Sequence, residues 1–307
     1  MISLEKRSSL TASLYAFLSI TFWGVSFVST KDLLESLDIY TIISMRFGIA
    51  AIFLFLLLLL LNKSIKIQIR HFHYILILAV IGVFVHQLVQ ASALLYIDAS
   101  AAGWIISFSP VFTVILSVLF LSERFSFAKL IGLTIAITGV VLVTTHDTRA
   151  FQILPNIGYI LMIFSTLNWA VYSILIKKFS LPYSSLAITF WTSLTGFILT
   201  IPFSIRSKGW IALTSLPTHD WIHLIFLGVF VSAIAYWYWG KALEVLEANQ
   251  VSVFMYLEPL VTLIAAMILL KEHVVLTSIL GGICIILGVS VFNNQVIRWA
   301  KHFFFRR

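Results

Sequence analysis

The chain has 307 residues, 61% of them hydrophobic and 10% charged, with a net charge of +8 and a mean hydropathy of +1.05. So much apolar surface excludes a water-soluble domain and a disordered chain, and specifies an all-α, polytopic membrane protein. Runs of about 20 apolar residues, enough to cross about 30 Å of hydrocarbon at 1.5 Å per residue, recur ten times. They lie near 11–30, 38–61, 74–96, 99–121, 127–145, 156–176, 184–204, 221–243, 248–270 and 274–293.

Span 1 follows Lys6 and Arg7, like the charged start of a secretory signal, but its apolar core is long and "STKDLLES" offers no small-residue cleavage site. It reads as a retained helix. Span 2 carries Arg46, roughly 12 Å in from the outer side, where it could bind a substrate carboxylate. It could instead snorkel outward or pair with Asp38. The run Leu56 to Leu61 reads as lipid-facing bulk. In span 3, His86 and Gln90 are four apart on one face with Gln87 adjacent, a polar group able to bind a ligand or a neighbouring helix. Span 4 has Ser109–Pro110 near its start and runs to Glu123.

Spans 5 and 10 each hold glycines seven apart, Gly132 with Gly139 and Gly281 with Gly288. That spacing puts both on one face, where helix backbones can approach closely. Span 6 carries Asn168, Trp169 and Tyr172, which with Trp23 and Tyr256 could form an aromatic wall against a substrate or a cation. Span 8 contains "YWYWG", of which Tyr236 and Trp239 share a face and are the cavity candidates, the others being interface anchors. Span 9 contains "FMYLEPLV". Glu258 is its eleventh residue, roughly 15 Å from the cytoplasmic end and so near the bilayer midplane. A carboxylate there costs about 2.5–3.5 kcal/mol on insertion scales and should face a cavity. Pro259 removes a backbone donor and clashes with the carbonyl of Met255, which predicts a bend at that depth. Three roles stay open for Glu258: a proton carrier, a ligand for a substrate ammonium, or a structural partner of a neighbouring helix.

Fourteen Lys and Arg fall on the N-terminal side of the membrane and five on the other, which places both termini in the cytoplasm. The basic tail 295–307 then meets anionic lipid, and the net charge needs no nucleic-acid partner. Cys284 is the single cysteine, so no intramolecular disulfide forms. Cys and His spacings of metal sites are not found, and neither are G-x-S-x-G, H-E-x-x-H or a P-loop. No cofactor or metal is expected, and the chain does not read as an enzyme.

Internal repetition is the strongest signal. At an offset of 149, residues 93–143 align with 242–292 without a gap, with 12 of 51 positions identical. "FSPVFTVILSVLFLSER" lies over "LEPLVTLIAAMILLKEH", matching Pro110 to Pro259 and Glu123 to Glu272, while Asp98 falls opposite Glu247. At an offset of 146, "WGVSFVSTK" matches "WAVYSILIK". The expected architecture is therefore ten transmembrane helices in two five-helix repeats, 1–150 and 151–294. An odd number of crossings inverts the second copy, the arrangement that lets one site open alternately to either side. Both repeats lie in one chain, so a monomer suffices.

These spans, the duplication, the "SP" and "EP" pairs, Glu123 and Glu272, and the paired glycines resemble the EamA-type members of the drug/metabolite transporter superfamily, over about residues 10–293. The resemblance implies a basket of spans 1–4 and 6–9 around a cavity, with spans 5 and 10 packed at one side. It also implies export of amino acids or related small metabolites across a bacterial inner membrane, while the proton as a candidate coupling ion rests on Glu258 and not on the resemblance. Efflux of lipophilic cations, a channel and an intramembrane enzyme are the alternative readings.

Overall fold

The computed structural model describes residues 4–121, 156–246, 248–272 and 276–292, with isolated positions between 131 and 142. Most of span 5, Glu123, Glu247 and the tail 295–307 lie outside the described residues. Among the described residues every regular element is helical. They are α1 (Leu4–Leu33), α2 (Ile39–Leu60), α3 (Ile69–Leu94), α4 (Ala99–Ile106 continued by Ser109–Leu121), α5 (Ile157–Phe179), α6 (Ser185–Ser207), α7 (Thr218–Val245), α8 (from Ala248–Ser252 to Ala266–Leu270) and α9 (Leu276–Phe292). Six of them, α1, α2, α3, α5, α6 and α7, are long and apolar enough to cross a membrane, and shorter apolar helices cover Ala99–Thr113, Phe254–Leu270 and Leu276–Gly288.

Polar side chains mark the helix starts. Asp38 accepts from the amides of Tyr40 and Thr41 at 3.0 and 3.2 Å to cap α2, and Asn156 accepts from Gly158 at 2.8 Å to cap α5. Each satisfies an amide that the helix itself leaves open. Lipid-facing residues are apolar, as at Leu56, Leu59 and Leu60. Leu58, inside the run read as lipid-facing, is instead buried, because that face of α2 packs along α6.

Both prolines sit differently from the mid-helix bend that the sequence suggests. The α-helix stops ahead of each, at Ser107–Phe108 in α4 and through a tighter 3-10 stretch, Val253–Leu257, in α8. A new segment then starts at Ser109 or Glu258, with Pro110 or Pro259 in its first turn. The missing amide hydrogen has no helical acceptor to lose there, so proline restarts the helix without strain. Thr113 Oγ1 donates to the carbonyl of Ser109 at 3.1 Å, and Thr262 Oγ1 to that of Glu258 at 2.9 Å. A second pair of matching bonds has its donors 146 positions apart and its acceptors 149 positions apart: Lys31 Nζ donates to the carbonyl of Ile97, and Lys177 Nζ to that of Leu246, both at 2.6 Å.

α1 lies between α7 and α8, while α3 and α4 pack on α5. At two glycines a neighbouring helix passes within reach of backbone. A Cβ on Gly24 of α1 would stand 2.8 Å from Val261 and 3.1 Å from the Glu258 carbonyl, and one on Gly139 would stand 2.5 Å from the carbonyl of Gly281 in α9. Backbone cannot yield as a flexible side chain can, so Gly139→Ala should destabilise the fold by about 1–3 kcal/mol. Ile137→Ala, at a half-exposed position two residues away, serves as the control. Thermal unfolding in detergent checks this, and equal midpoints for the two variants would refute the close approach.

Candidate functional site

Two stretches of π-helix, where the backbone winds more loosely than an α-helix, frame the interior. They occupy Val80–Val85 in α3 and Leu227–Ala235 in α7. Such turns leave carbonyls that other helices must satisfy. Asn168 Nδ2 donates to the carbonyl of Ile81 at 2.6 Å, Tyr236 Oη to that of Gly82 at 3.1 Å, and Ser19 Oγ to that of Ala235 at 2.9 Å.

Between these stretches lies a buried cavity lined by Trp23 and Ser26 from α1, Arg46 from α2, His86, Gln87 and Gln90 from α3, Ile106 from α4, Trp169 from α5, Tyr236 from α7, and Met255 and Glu258 from α8. It has about 20 Å³ of room for the centre of a water molecule, which admits about one water. Eight of the eleven residues singled out as binding or coupling candidates meet here although they come from six helices.

Arg46 is 2% exposed. Its Nε donates to Ser232 Oγ at 2.8 Å and its Nη1 to Gln87 Oε1 at 2.8 Å, and Gln87 Nε2 donates to Tyr236 Oη at 2.9 Å. The suggested partner Asp38 is instead occupied with the start of α2 and with Thr41 Oγ1 at 2.6 Å, so Arg46 neither pairs with it nor snorkels outward. Among the described residues no ion pair involves Arg46 or Glu258. His86 Nδ1 is 2.9 Å from Ser165 Oγ, which ties α3 to α5.

Glu258 is 2% exposed and its Oε2 has no hydrogen-bond partner; the indole nitrogens of Trp23 and Trp169 have none either. Native interiors rarely leave such groups unpaired unless a ligand or water completes them. Trp23 stands 4.8 Å from Trp169 edge-to-face and 5.6 Å from Tyr236, forming an aromatic corner.

Three candidates stand outside the lining. Trp239 packs behind the corner, 5.1 Å from Trp23, and donates to Ser173 Oγ at 3.3 Å. Asn168 serves the carbonyl of Ile81. Tyr256 belongs to a separate cluster with Trp104, Phe108 and Ile285, its hydroxyl unpaired. Of the glycines, Gly132, Gly139, Gly281 and Gly288 are all buried, and Gly139 meets the backbone of Gly281 and Ile285. The sequence reading missed Ser26, Ile106, Met255 and Ser232. Ser26 and Met255 lie three positions from Trp23 and Glu258, a same-face spacing that could have found them, while nothing local marks Ser232.

A bundle of long apolar helices around a buried cavity lined by polar and aromatic side chains defines a helical membrane protein. The EamA-like transporter family profile matches residues 10–145 and again 156–294, and the chain belongs to that family. It is 33% identical over 277 residues to an uncharacterized transporter of Archaeoglobus fulgidus, covering 89% of this chain and 95% of the other. It is 28% identical over 213 residues to a "Probable amino-acid metabolite efflux pump" of Escherichia coli, covering 66% of this chain and 70% of that one. A crystal structure with 18% sequence identity shares the fold at a TM-score of 0.68, covering 94% of this chain and 97% of its own.

The bridging role of Gln87 gives a direct test. Gln87→Leu leaves Arg46 short of an acceptor and Tyr236 short of a donor, and should cost about 1–3 kcal/mol. In a double-mutant cycle with Tyr236→Phe, the coupling should be about 0.5–3 kcal/mol. Additive losses in unfolding midpoint would show that the two side chains do not act together.

Proposed function

We propose that the protein is a secondary active transporter that exports amino acids or related small metabolites by alternating access. The observation that carries this reading is that a guanidinium, Arg46, and a carboxyl, Glu258, neither with an ionic partner among the described residues, line one buried cavity. An amino-acid zwitterion complements such a cavity. Its carboxylate can take the fork of Arg46 and an indole N–H, and its ammonium can take the free oxygen of Glu258. The name of the Escherichia coli relative points the same way. A transported molecule needs more room than one water, so the helices must part. The π-helical stretches beside Gln87 and Tyr236 are the natural places for the backbone to adjust.

The ten-span, five-plus-five architecture belongs to this proposal. It is supported by the matched bonds of Lys31 and Lys177, by those of Thr113 and Thr262, and by the double family match. On this reading residues 1–150 and 151–294 form inverted halves, with both termini in the cytoplasm of a bacterial cell and residues 295–307 as a basic tail. One chain is a sufficient unit, and the proton is the proposed coupling ion. Efflux of lipophilic cations is the second reading, favoured by Glu258 beside the aromatic corner. Arg46 in the same cavity opposes it, because a cation would meet its like charge.

Flux into proteoliposomes, with amino acids and lipophilic cations each offered with and without an imposed pH gradient, decides between them. Wild type should accumulate amino acids and not cations. Arg46→Gln should lose carboxylate-bearing substrates, with about a tenfold or greater fall in apparent affinity from one lost charged hydrogen bond of about 1.5–3 kcal/mol. Glu258→Gln should exchange substrate without being driven by the gradient if the carboxylate carries the proton, or lose binding if it holds the ammonium. Gradient-driven flux at the wild-type rate in Glu258→Gln would sink both roles.

A further inference from the structure

Where α1 ends and α7 begins, three metal-ligating side chains from distant parts of the chain converge. Asp32 is in the last turn of α1, and His219 and His223 lie four apart on one face of the first turns of α7. His223 Nε2 is 3.2 Å from His219 Nε2 and 3.5 Å from Asp32 Oδ2, and His219 Nδ1 is 3.5 Å from that same oxygen. One ligand atom from each of the three lies within 4.8 Å of the others. Two ligands about 2.0–2.1 Å from a tetrahedral ion stand about 3.3–3.4 Å apart, and the two distances that His223 Nε2 makes, to His219 Nε2 and to Asp32 Oδ2, are close to that value. At this separation one neutral imidazole can donate to the other, and a metal ion in place of that proton would take both lone pairs.

A fourth residue supplies the independent sign. Asp220 Oδ1 is 3.2 Å from His219 Nδ1. A carboxylate placed there takes the Nδ1 proton, fixes the tautomer and leaves Nε2 free to bind a metal. Asp220 is itself only 5% exposed, and its second oxygen has no hydrogen-bond partner.

We propose that Asp32, His219 and His223 form a binding site for a divalent transition metal ion, Zn²⁺ by its ligand set, with Asp220 orienting His219. Two imidazoles and a carboxylate suit zinc in tetrahedral geometry with water in the fourth position. The ion would hold the end of α1 against the start of α7, the two helices that carry Trp23 and Tyr236. Nothing in this site depends on the transport reading.

The test uses tag-free, full-length protein in lipid nanodiscs, stripped of metal and titrated with Zn²⁺ against a chromophoric chelator, then with Co²⁺ as an optical probe. One Zn²⁺ per chain is expected, with the intense visible absorption of four-coordinate Co²⁺. Combining His219→Ala with His223→Ala should abolish both signals while the metal-free unfolding midpoint stays unchanged, and Asp32→Asn gives a second, milder variant that should also weaken binding. Asp220→Asn should retain the stoichiometry with affinity about 10- to 100-fold weaker. Zinc binding no greater in wild type than in the double variant, or undiminished in Asp32→Asn, would overturn the assignment.

Discussion

A guanidinium inside a bundle of apolar helices must find its acceptors within the protein, because breaking a buried charge away from its partners is far more costly than exposing it. Arg46 draws Gln87 from α3 and Ser232 from α7. Gln87 in turn engages Tyr236, whose hydroxyl donates to the carbonyl of Gly82. This chain begins and ends in the loosened turns of α3 and α7. The π-helical backbone therefore both supplies acceptors and depends on the side chains that fill them, and three helices are held in register by one cation.

Glu258 is held by a different means. Its helix restarts at Pro259, and α1 comes close enough at Gly24 that a single methyl group would press on Val261. The carboxylate is thus positioned by backbone packing, and its Oε2 stays free of hydrogen bonds. Because the local helix geometry closes its own hydrogen bonds through Thr262, none of the side chain's capacity is consumed by the kink. A carboxyl kept in place with an oxygen unengaged is available to something that enters the cavity.

Much of this was legible in the sequence. Hydropathy located the helices, and the depth of Arg46, Glu258, His86, Gln87 and Gln90 within their spans identified them as cavity candidates, since charge and polarity in hydrocarbon need a reason. What could not be read was partnership. Asp38 looked available to Arg46, but capping α2 is a local interaction that outcompetes a distant one. The proline pairs suggested bends because a mid-span proline normally interrupts a helix. Only the backbone reveals that the interruption precedes it. Asp32 and His219 are 187 positions apart, beyond any spacing rule, although the four-residue interval of His219 and His223 was visible.

The paired bonds of Lys31 with Lys177 and of Thr113 with Thr262 tie corresponding turns to corresponding carbonyls, and these serve the scaffold. The groups suited to a ligand are not paired in this way: where one stretch reads Ser109–Pro110, its counterpart reads Glu258–Pro259. On the repeat reading this division is what transport demands. A symmetric frame gives inward- and outward-open arrangements of similar energy, so that neither traps the protein. The site between the halves must nevertheless distinguish one end of its ligand from the other. A carboxylate contributed by one half and a guanidinium by the other meet that need without disturbing the frame, because each is supported locally, one by close-packed backbone and the other by its own amide and hydroxyl partners.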